Sequence, residues 1–255
     1  MRRAGTAVVL LAILLAVLFL LPRAGVAALM VLVIGVGGFE WGRLCGLNPH
    51  LYAGAMVLAL LLVLWSEVSQ PVFLLASLFW LVAAPAWLWI GVKPGHRVAL
   101  QAAGFVVLVP AALAMVVLAP GAALLVLAVA WIADTAAYFA GKRWGRHKLA
   151  PAISPGKTWE GAAGGLIGAA AYAMIVSIFL AGAQATRMAA FIGAAALLVV
   201  VSIVGDLFES AAKRQAGVKD SGAILPGHGG MLDRVDSAAA VLPVAAAMAS
   251  LQVLA

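Results

Sequence analysis

One cysteine in 255 residues, Cys45, has no partner within the chain. An intramolecular disulfide framework and a cysteine metal cluster are therefore both excluded. Cys45 reads as a small buried hydrophobe. Charge is nearly as scarce. Nine acidic and sixteen basic residues make up 10% of the chain, while 66% is hydrophobic. A soluble domain carries about a quarter charged residues, so an ordinary soluble globule is excluded. Alternation of apolar and polar residues in ~10-residue segments is also missing, which excludes a transmembrane β-barrel. No internal repeat is visible.

What the chain has instead is apolar runs near twenty residues long, and about 20 residues cross ~30 Å of hydrocarbon as a helix. The expected fold is all-α, a polytopic membrane helix bundle of about nine transmembrane helices. The spans read as 5–21, 24–40, 51–66, 72–92, 98–117, 120–140, 160–182, 187–208 and 235–254. Pro22, Pro71 and Pro120-Gly121 punctuate the connections. Pro85 and Pro110 fall inside spans, where membrane helices tolerate them. The opening MRRAGTAVVLLAILLAVLFLLPRAG is similar to a signal peptide, but its apolar run is long and a second follows at once. A retained first helix is expected.

The basic residues orient the bundle. With the N-terminus inside, Arg2, Arg3, Arg43, Lys93, Arg97, Lys142, Arg143, Arg146, Lys148, Lys157, Lys213, Arg214, Lys219 and Arg234 lie on one side, and Arg23 and Arg187 on the other. That asymmetry predicts N-in, C-out. The net charge of +7 is then assigned to this bias and to anionic lipid rather than to nucleic acid. Two inside loops are long, 141–159 and 209–234, and such loops tend to carry function.

In the first loop region, WIADTAAYFAGKRWGRHKLAPAISPGKTWEGAAGG, Asp134 and Tyr138 share a helix face at i, i+4. An ionisable residue within a membrane helix is a functional candidate by default. The Gly156-Lys157-Thr158 run is not a Walker-type phosphate loop, because Pro151 stands where its first glycine belongs and no strand precedes it. Ser154-Pro155 favours a turn, and Thr158 suits the cap of a helix opening at Glu160-Gly161. Such a helix N-terminus attracts phosphate, with Lys157 beside it.

The second loop region holds Asp206 and Glu209 at i, i+3, then Asp233 and Asp236 at i, i+3, each pair expected on one helix face. Four carboxylates at one interface repel unless neutralised, and oxygen-only ligands favour Mg²⁺ or Mn²⁺. Lys213, Arg214, Lys219 and Arg234 surround the acids. Metal-binding acids beside phosphate-binding bases are the recurring parts of phosphoryl and nucleotidyl transfer. In Pro226-Gly227-His228-Gly229-Gly230, the glycines allow backbone N–H groups close to phosphate, and His228 offers a hydrogen bond or a proton.

The run Ser210 to Asp236, SAAKRQAGVKDSGAILPGHGGMLDRVD, resembles the signature of the phosphatidate cytidylyltransferase (CDP-diacylglycerol synthase) family. Each fixed element is present: Ser, Lys-Arg, Lys-Asp, His-Gly-Gly and Asp-Arg-x-Asp. WIADTAAYFAGKRWG and SPGKTWEG resemble the family's other block, except that Gly156 stands where the family usually has lysine. The motifs cover about residues 120 to 250. The resemblance implies CTP and phosphatidate as substrates, a lipid-bilayer setting in the inner membrane with the site facing the cytoplasm, and a homodimer. It implies a Mg²⁺ site with a K⁺ neighbour, Mn²⁺ being able to replace Mg²⁺. By position, Asp206 and Asp233 would be the metal ligands, with Asp236, Glu209 and Asp220 close by. Residues 1–118 are then expected to anchor the protein or form the dimer. Residues 119–255 would be the catalytic region, with Asp134, Tyr138, Ser154, Lys157, Thr158, Glu160, Gly229 and Gly230 at the substrate.

Two enzymatic rivals differ in detail. A CTP-dependent lipid-alcohol kinase would lack the complete His-Gly-Gly…Asp-Arg-x-Asp block. A CDP-alcohol phosphotransferase needs aspartates four apart, whereas Asp233 and Asp236 are three apart. A transporter would place its charges near the membrane midplane and show repeats.

Overall fold

The computed structural model describes residues 2–181, 184–222 and 229–251. Nine helices lie among the described residues, and they match the nine apolar runs. They are α1 (Arg2–Leu20), α2 (Arg23–Leu44), α3 (Pro49–Ser66), α4 (Gln70–Ile90), α5 (Arg97–Val117), α6 (Pro120–Trp144), α7 (Trp159–Ala181), α8 (Ala185–Gln215) and α9 (Leu232–Ser250). Seven of them, α2 to α8, are long and apolar enough to cross a membrane. In α1 the described apolar stretch is shorter, Leu11–Leu20. The first turns of α9 carry Asp233, Arg234 and Asp236.

Local chemistry sets several boundaries. Asn48 caps α3, its side chain accepting from the His50 and Leu51 N–H groups, with Pro49 in the first helical position. Thr158 caps α7 by accepting from the Gly161 N–H at 3.1 Å, as the sequence suggested. Pro85 has no N–H for the helical ladder, and α4 widens just before it into a π-turn over Phe79–Ala83.

Two readings of the loops are corrected. Ser154-Pro155 does not form a turn. Ser154–Thr158 is a strand, β2, paired antiparallel with β1 (Lys148–Ala150), and the chain reverses between them at 151–153. A β-branched or apolar pattern long enough to announce a strand is missing from LAPAISPGK, so the pairing was invisible locally. The second loop is also shorter than 209–234, because α8 continues to Gln215. At 1.5 Å per residue, its 31 residues reach ~46 Å, beyond the ~30 Å hydrocarbon core. Glu209, Lys213 and Arg214 are therefore helical.

Small residues let the helices touch. Gly161, Gly164, Gly165 and Gly168 of α7 lie against Ala133, Ala136, Ala137 and Ala140 of α6. In lipid, apolar faces gain little by meeting, and close backbone approach through small residues supplies the packing. Gly205 of α8 similarly meets Ala240 and the Asp236 carbonyl of α9. Large aromatics fill the middle: Phe208 of α8 takes edge-on contacts from Phe79, Trp80 and Trp87 of α4. Trp41 donates to the Leu100 carbonyl at 2.8 Å, and the Tyr52 hydroxyl donates to the Gln101 carbonyl. The core runs without a break across the 118/119 boundary. Cys45 is buried in it, and burial pushes its thiol up to about 11. Outward-facing Trp65, Trp89, Phe179 and Ile167 are exposed, as suits a lipid-facing surface.

A Cβ at Gly168 would sit 2.7 Å from the Ala136 Cβ, whereas one at Gly193 meets nothing within 4 Å. Gly168→Leu is expected to destabilise the protein by about 1–3 kcal/mol through overpacking. Gly193→Leu is expected to leave it near wild type. Thermal melting of both variants in detergent checks the difference.

Candidate active site

The helices α8 and α9 run antiparallel, and this re-sorts the acids. In sequence, Asp206 goes with Glu209 and Asp233 with Asp236. In space, Glu209 and Asp233 meet at one level and Asp206 and Asp236 at the other.

The first group is built on Lys213. Its Nζ lies 2.6 Å from Glu209 Oε2, one helical turn earlier, and 2.5 Å from Asp233 Oδ1 across the helix pair. The side chains of all three are 10% exposed or less. Asp233 Oδ2 accepts from the backbone N–H groups of Ser221 at 3.0 Å and Gly230 at 2.8 Å, and lies 3.0 Å from the Ser221 hydroxyl. Gly229 sits at φ +79°, where a side chain is strained, and a Cβ there would meet Asp233 Oδ2 at 2.6 Å. Gly229 thus makes room for Asp233, and Gly230 for Ser221 and Glu40.

The second group opens on a cleft of about 500 Å³ between α6, α7, α8 and the hairpin. Asp134, Tyr138, Gly141, Lys142, Ser154, Gly156, Lys157, Thr158 and Asp206 are among the residues that line it. The hairpin swings Lys157 over the cleft, where its Nζ pairs with Asp206 Oδ2 at 2.5 Å. Ser210 donates to Asp206 Oδ1 at 3.3 Å. Asp236 interacts electrostatically with Asp206, Asp134 and Lys157, and Asp134 is hydrogen-bonded to Ser237. Gly205 makes this approach feasible, since a Cβ there would lie 2.9 Å from the Asp236 carbonyl oxygen. Among the described residues, no three His, Cys, Asp or Glu side chains converge as a ready-made metal cage.

Several expected site residues have other partners. Glu160 binds His147, through its Nδ1 at 2.6 Å and its backbone N–H at 3.2 Å, and so ties the start of the hairpin to α7. Arg214 donates to the Val218 carbonyl at 3.0 Å, finishing the end of α8. Lys219 and Asp220 are exposed on the segment after α8. Arg234 lines an apolar groove of about 250 Å³ with Met30, Ile34 and Leu108. His228 lies outside the described residues.

Two residues of the site escaped sequence reasoning. Glu40 of α2 is 1% exposed and accepts from the N–H groups of Met231 and Leu232 and from the Ser221 hydroxyl. An acid at the end of an apolar span was the available signal, the same one that picked out Asp134. Ser221 had no signal beyond lying in the motif run.

Removing the shared cation takes from Glu209 its ion-pair partner and leaves Asp233 only the donors of Ser221 and Gly230. Lys213→Met is expected to destabilise the fold by about 3–5 kcal/mol, and Lys213→Arg by less. Thermal melting in detergent reads both.

Residues 1–252 match the Cytidylyltransferase family. A phosphatidate cytidylyltransferase of Pseudomonas aeruginosa is 41% identical over 260 residues, covering 97% of this chain and 96% of that protein. The enzymes of the same name from Haemophilus influenzae and Thermotoga maritima are 48% and 44% identical over 47% and 48% of the chain. The cleft rimmed with lysine and aspartate lies within this matched length. With the match extending over nearly every residue, the chain is a nucleotidyltransferase and belongs to the cytidylyltransferase family.

Proposed function

We infer that the chain transfers the cytidylyl group of CTP to phosphatidate, giving CDP-diacylglycerol and pyrophosphate. The observation that carries this reading is the cleft itself. Lys142, Lys157, Asp134 and Asp206 line a space open between membrane helices, with Lys157 paired to Asp206. A phosphate-bearing lipid reaches such a place laterally, and a soluble nucleotide reaches it from the water.

The chemistry is a displacement at phosphorus. An oxygen of the phosphatidate phosphate forms a bond to the CTP α-phosphorus, and the bond from that phosphorus to the β-phosphate bridging oxygen breaks. Pyrophosphate leaves with the electron pair. The lipid phosphate already carries negative charge near neutral pH, so the barrier is largely the approach of two anions. Lys157 and Lys142 would hold phosphate oxygens and offset that repulsion. To do so Lys157 exchanges Asp206 for the substrate. Lys213 keeps Asp233 and Glu209 in place behind the cleft. Lys219 and Arg234 are assigned to phosphate binding by their motif positions alone.

The oxygen-only donor set suits a divalent ion. Mg²⁺ commonly takes one or two carboxylates and fills its other positions with water and substrate phosphate. A three-acid cage is therefore not required. Asp206, freed when Lys157 turns to the substrate, and Asp236 would hold it, and Asp233 joins them by its motif position alone, its two oxygens facing Lys213, Ser221 and Gly230 in this structure. When bound, it would neutralise charge on the triphosphate. Mn²⁺ as a replacement, a K⁺ neighbour, an inner-membrane location with the cleft facing the cytoplasm, and a homodimer belong to the same reading.

CTP labelled on the α- or the γ-phosphate separates the reactions. With purified protein, phosphatidate and Mg²⁺, α-label is expected in the lipid fraction with free pyrophosphate, and Asp206→Asn is expected to lose this transfer. Label entering lipid only from the γ-phosphate, with a lipid alcohol supplied, would replace the reading with a kinase. Light scattering in detergent is expected to give the mass of two chains; a single-chain mass would sink the homodimer.

A further inference from the structure

Glu40 is one of only two acidic residues in the first 118, the other being Glu67. It lies near the end of α2, and its contacts run to the far end of the chain. Oε1 accepts from the Met231 N–H at 2.9 Å, and Oε2 accepts from the Leu232 N–H at 2.9 Å. The Ser221 Oγ stands 2.8 Å from Oε2.

These donors explain the acid. The first N–H groups of a helix have no partner within it, and that end is the positive end of the helix dipole. The residue in the N-cap position of α9 is Met231, whose side chain makes no cap hydrogen bond. Glu40 supplies the missing cap from another helix. The fit is close: a Cβ on Gly222 or on Gly230 would lie 2.5 Å from a Glu40 carboxylate oxygen. Beyond the cap, the Ser221 hydroxyl spans Glu40 Oε2 and Asp233 Oδ2, at 2.8 and 3.0 Å. Asp233 in turn holds Lys213.

We propose that Glu40 is a positioning residue for the transfer site: it fixes the N-terminus of α9 and, through Ser221, the orientation of Asp233 against Lys213. By this assignment α2 is part of the site and not only an anchor. The rate consequence rests on the cytidylyl-transfer reading; the anchoring does not.

Glu40→Gln keeps the shape but changes the donors. An amide offers one accepting oxygen and an NH₂ that donates, while three donors face it. In the full chain purified in detergent, amide exchange is expected to quicken over residues 229–235 and not in α3 or α7. The kcat per folded protein is expected to fall about 10²-fold, the scale of a small misplacement of catalytic groups. The KM for CTP is expected to stay near wild type, and Glu40→Asp to recover part of the rate. Ser221→Ala is expected to lower kcat severalfold. The double variant Glu40→Gln/Ser221→Ala is expected to lose little more than Glu40→Gln alone, because both act along one route.

Unchanged exchange over 229–235 in Glu40→Gln would overturn the proposal. So would a rate that falls only in step with the folded fraction, or strictly additive losses in the double variant. If Glu40→Gln yields no folded protein, Ser221→Ala decides, and a wild-type kcat there sinks the route. A wild-type protein inactive on CTP and phosphatidate, with exchange still responding to Glu40→Gln, would retire the substrate reading and leave the anchor standing.

Discussion

Lys213 carries one positive charge between two carboxylates, on side chains nearly withdrawn from solvent, and the arrangement of the site follows from that. A charge taken out of water must be paired and hydrogen-bonded or it costs several kcal/mol. Glu209 lies one turn away on the same helix, but Asp233 has to come from α9. The lysine therefore fixes how α9 lies along α8. Once that register is set, Asp236 is carried near Asp206, and Gly205 lets the two backbones approach closely; of the pair, Asp206 lines the cleft. One cation does not balance two acids. The N–H groups of Ser221 and Gly230 supply further donors to Asp233, a network whose members hold one another in place.

The membrane shapes the remainder. Lipid tails are as apolar as leucine, so α6 and α7 associate through glycine against alanine and not through bulky apolar side chains. The same glycines free α7 to begin hard against the hairpin, where Thr158 caps it and Glu160 ties it to His147. Lys157 is placed over the cleft by this short connection. α8 exceeds the hydrocarbon thickness, which carries Asp206, Glu209 and Lys213 out to the interface. A lipid phosphate and a water-soluble nucleotide share only that depth.

Much of this was legible in the residues. The nine apolar runs are the nine described helices, Thr158 is the cap that its neighbours suggested, and the Asp-Arg-x-Asp block lies where acids and bases gather. The hairpin was not legible, because Ser154–Thr158 becomes a strand only by pairing with Lys148–Ala150. Glu160 was expected at the substrate and Arg214 at phosphate, but the partners they take here are His147 and the Val218 carbonyl. Charge type was readable; the choice of partner was not.

The sequence by itself determined that the chain is a membrane helix bundle and where its apolar helices lie, since apolar length and helix caps are local properties. Only the tertiary structure decided how the charged residues pair. Helix periodicity put Asp206 with Glu209 and Asp233 with Asp236, and antiparallel packing exchanged the partners. It also decided that Glu40, far away in the chain, closes the N-terminus of α9. Buried N–H groups and carboxylates must find partners wherever the fold offers them, and that search runs through space without regard to distance along the chain.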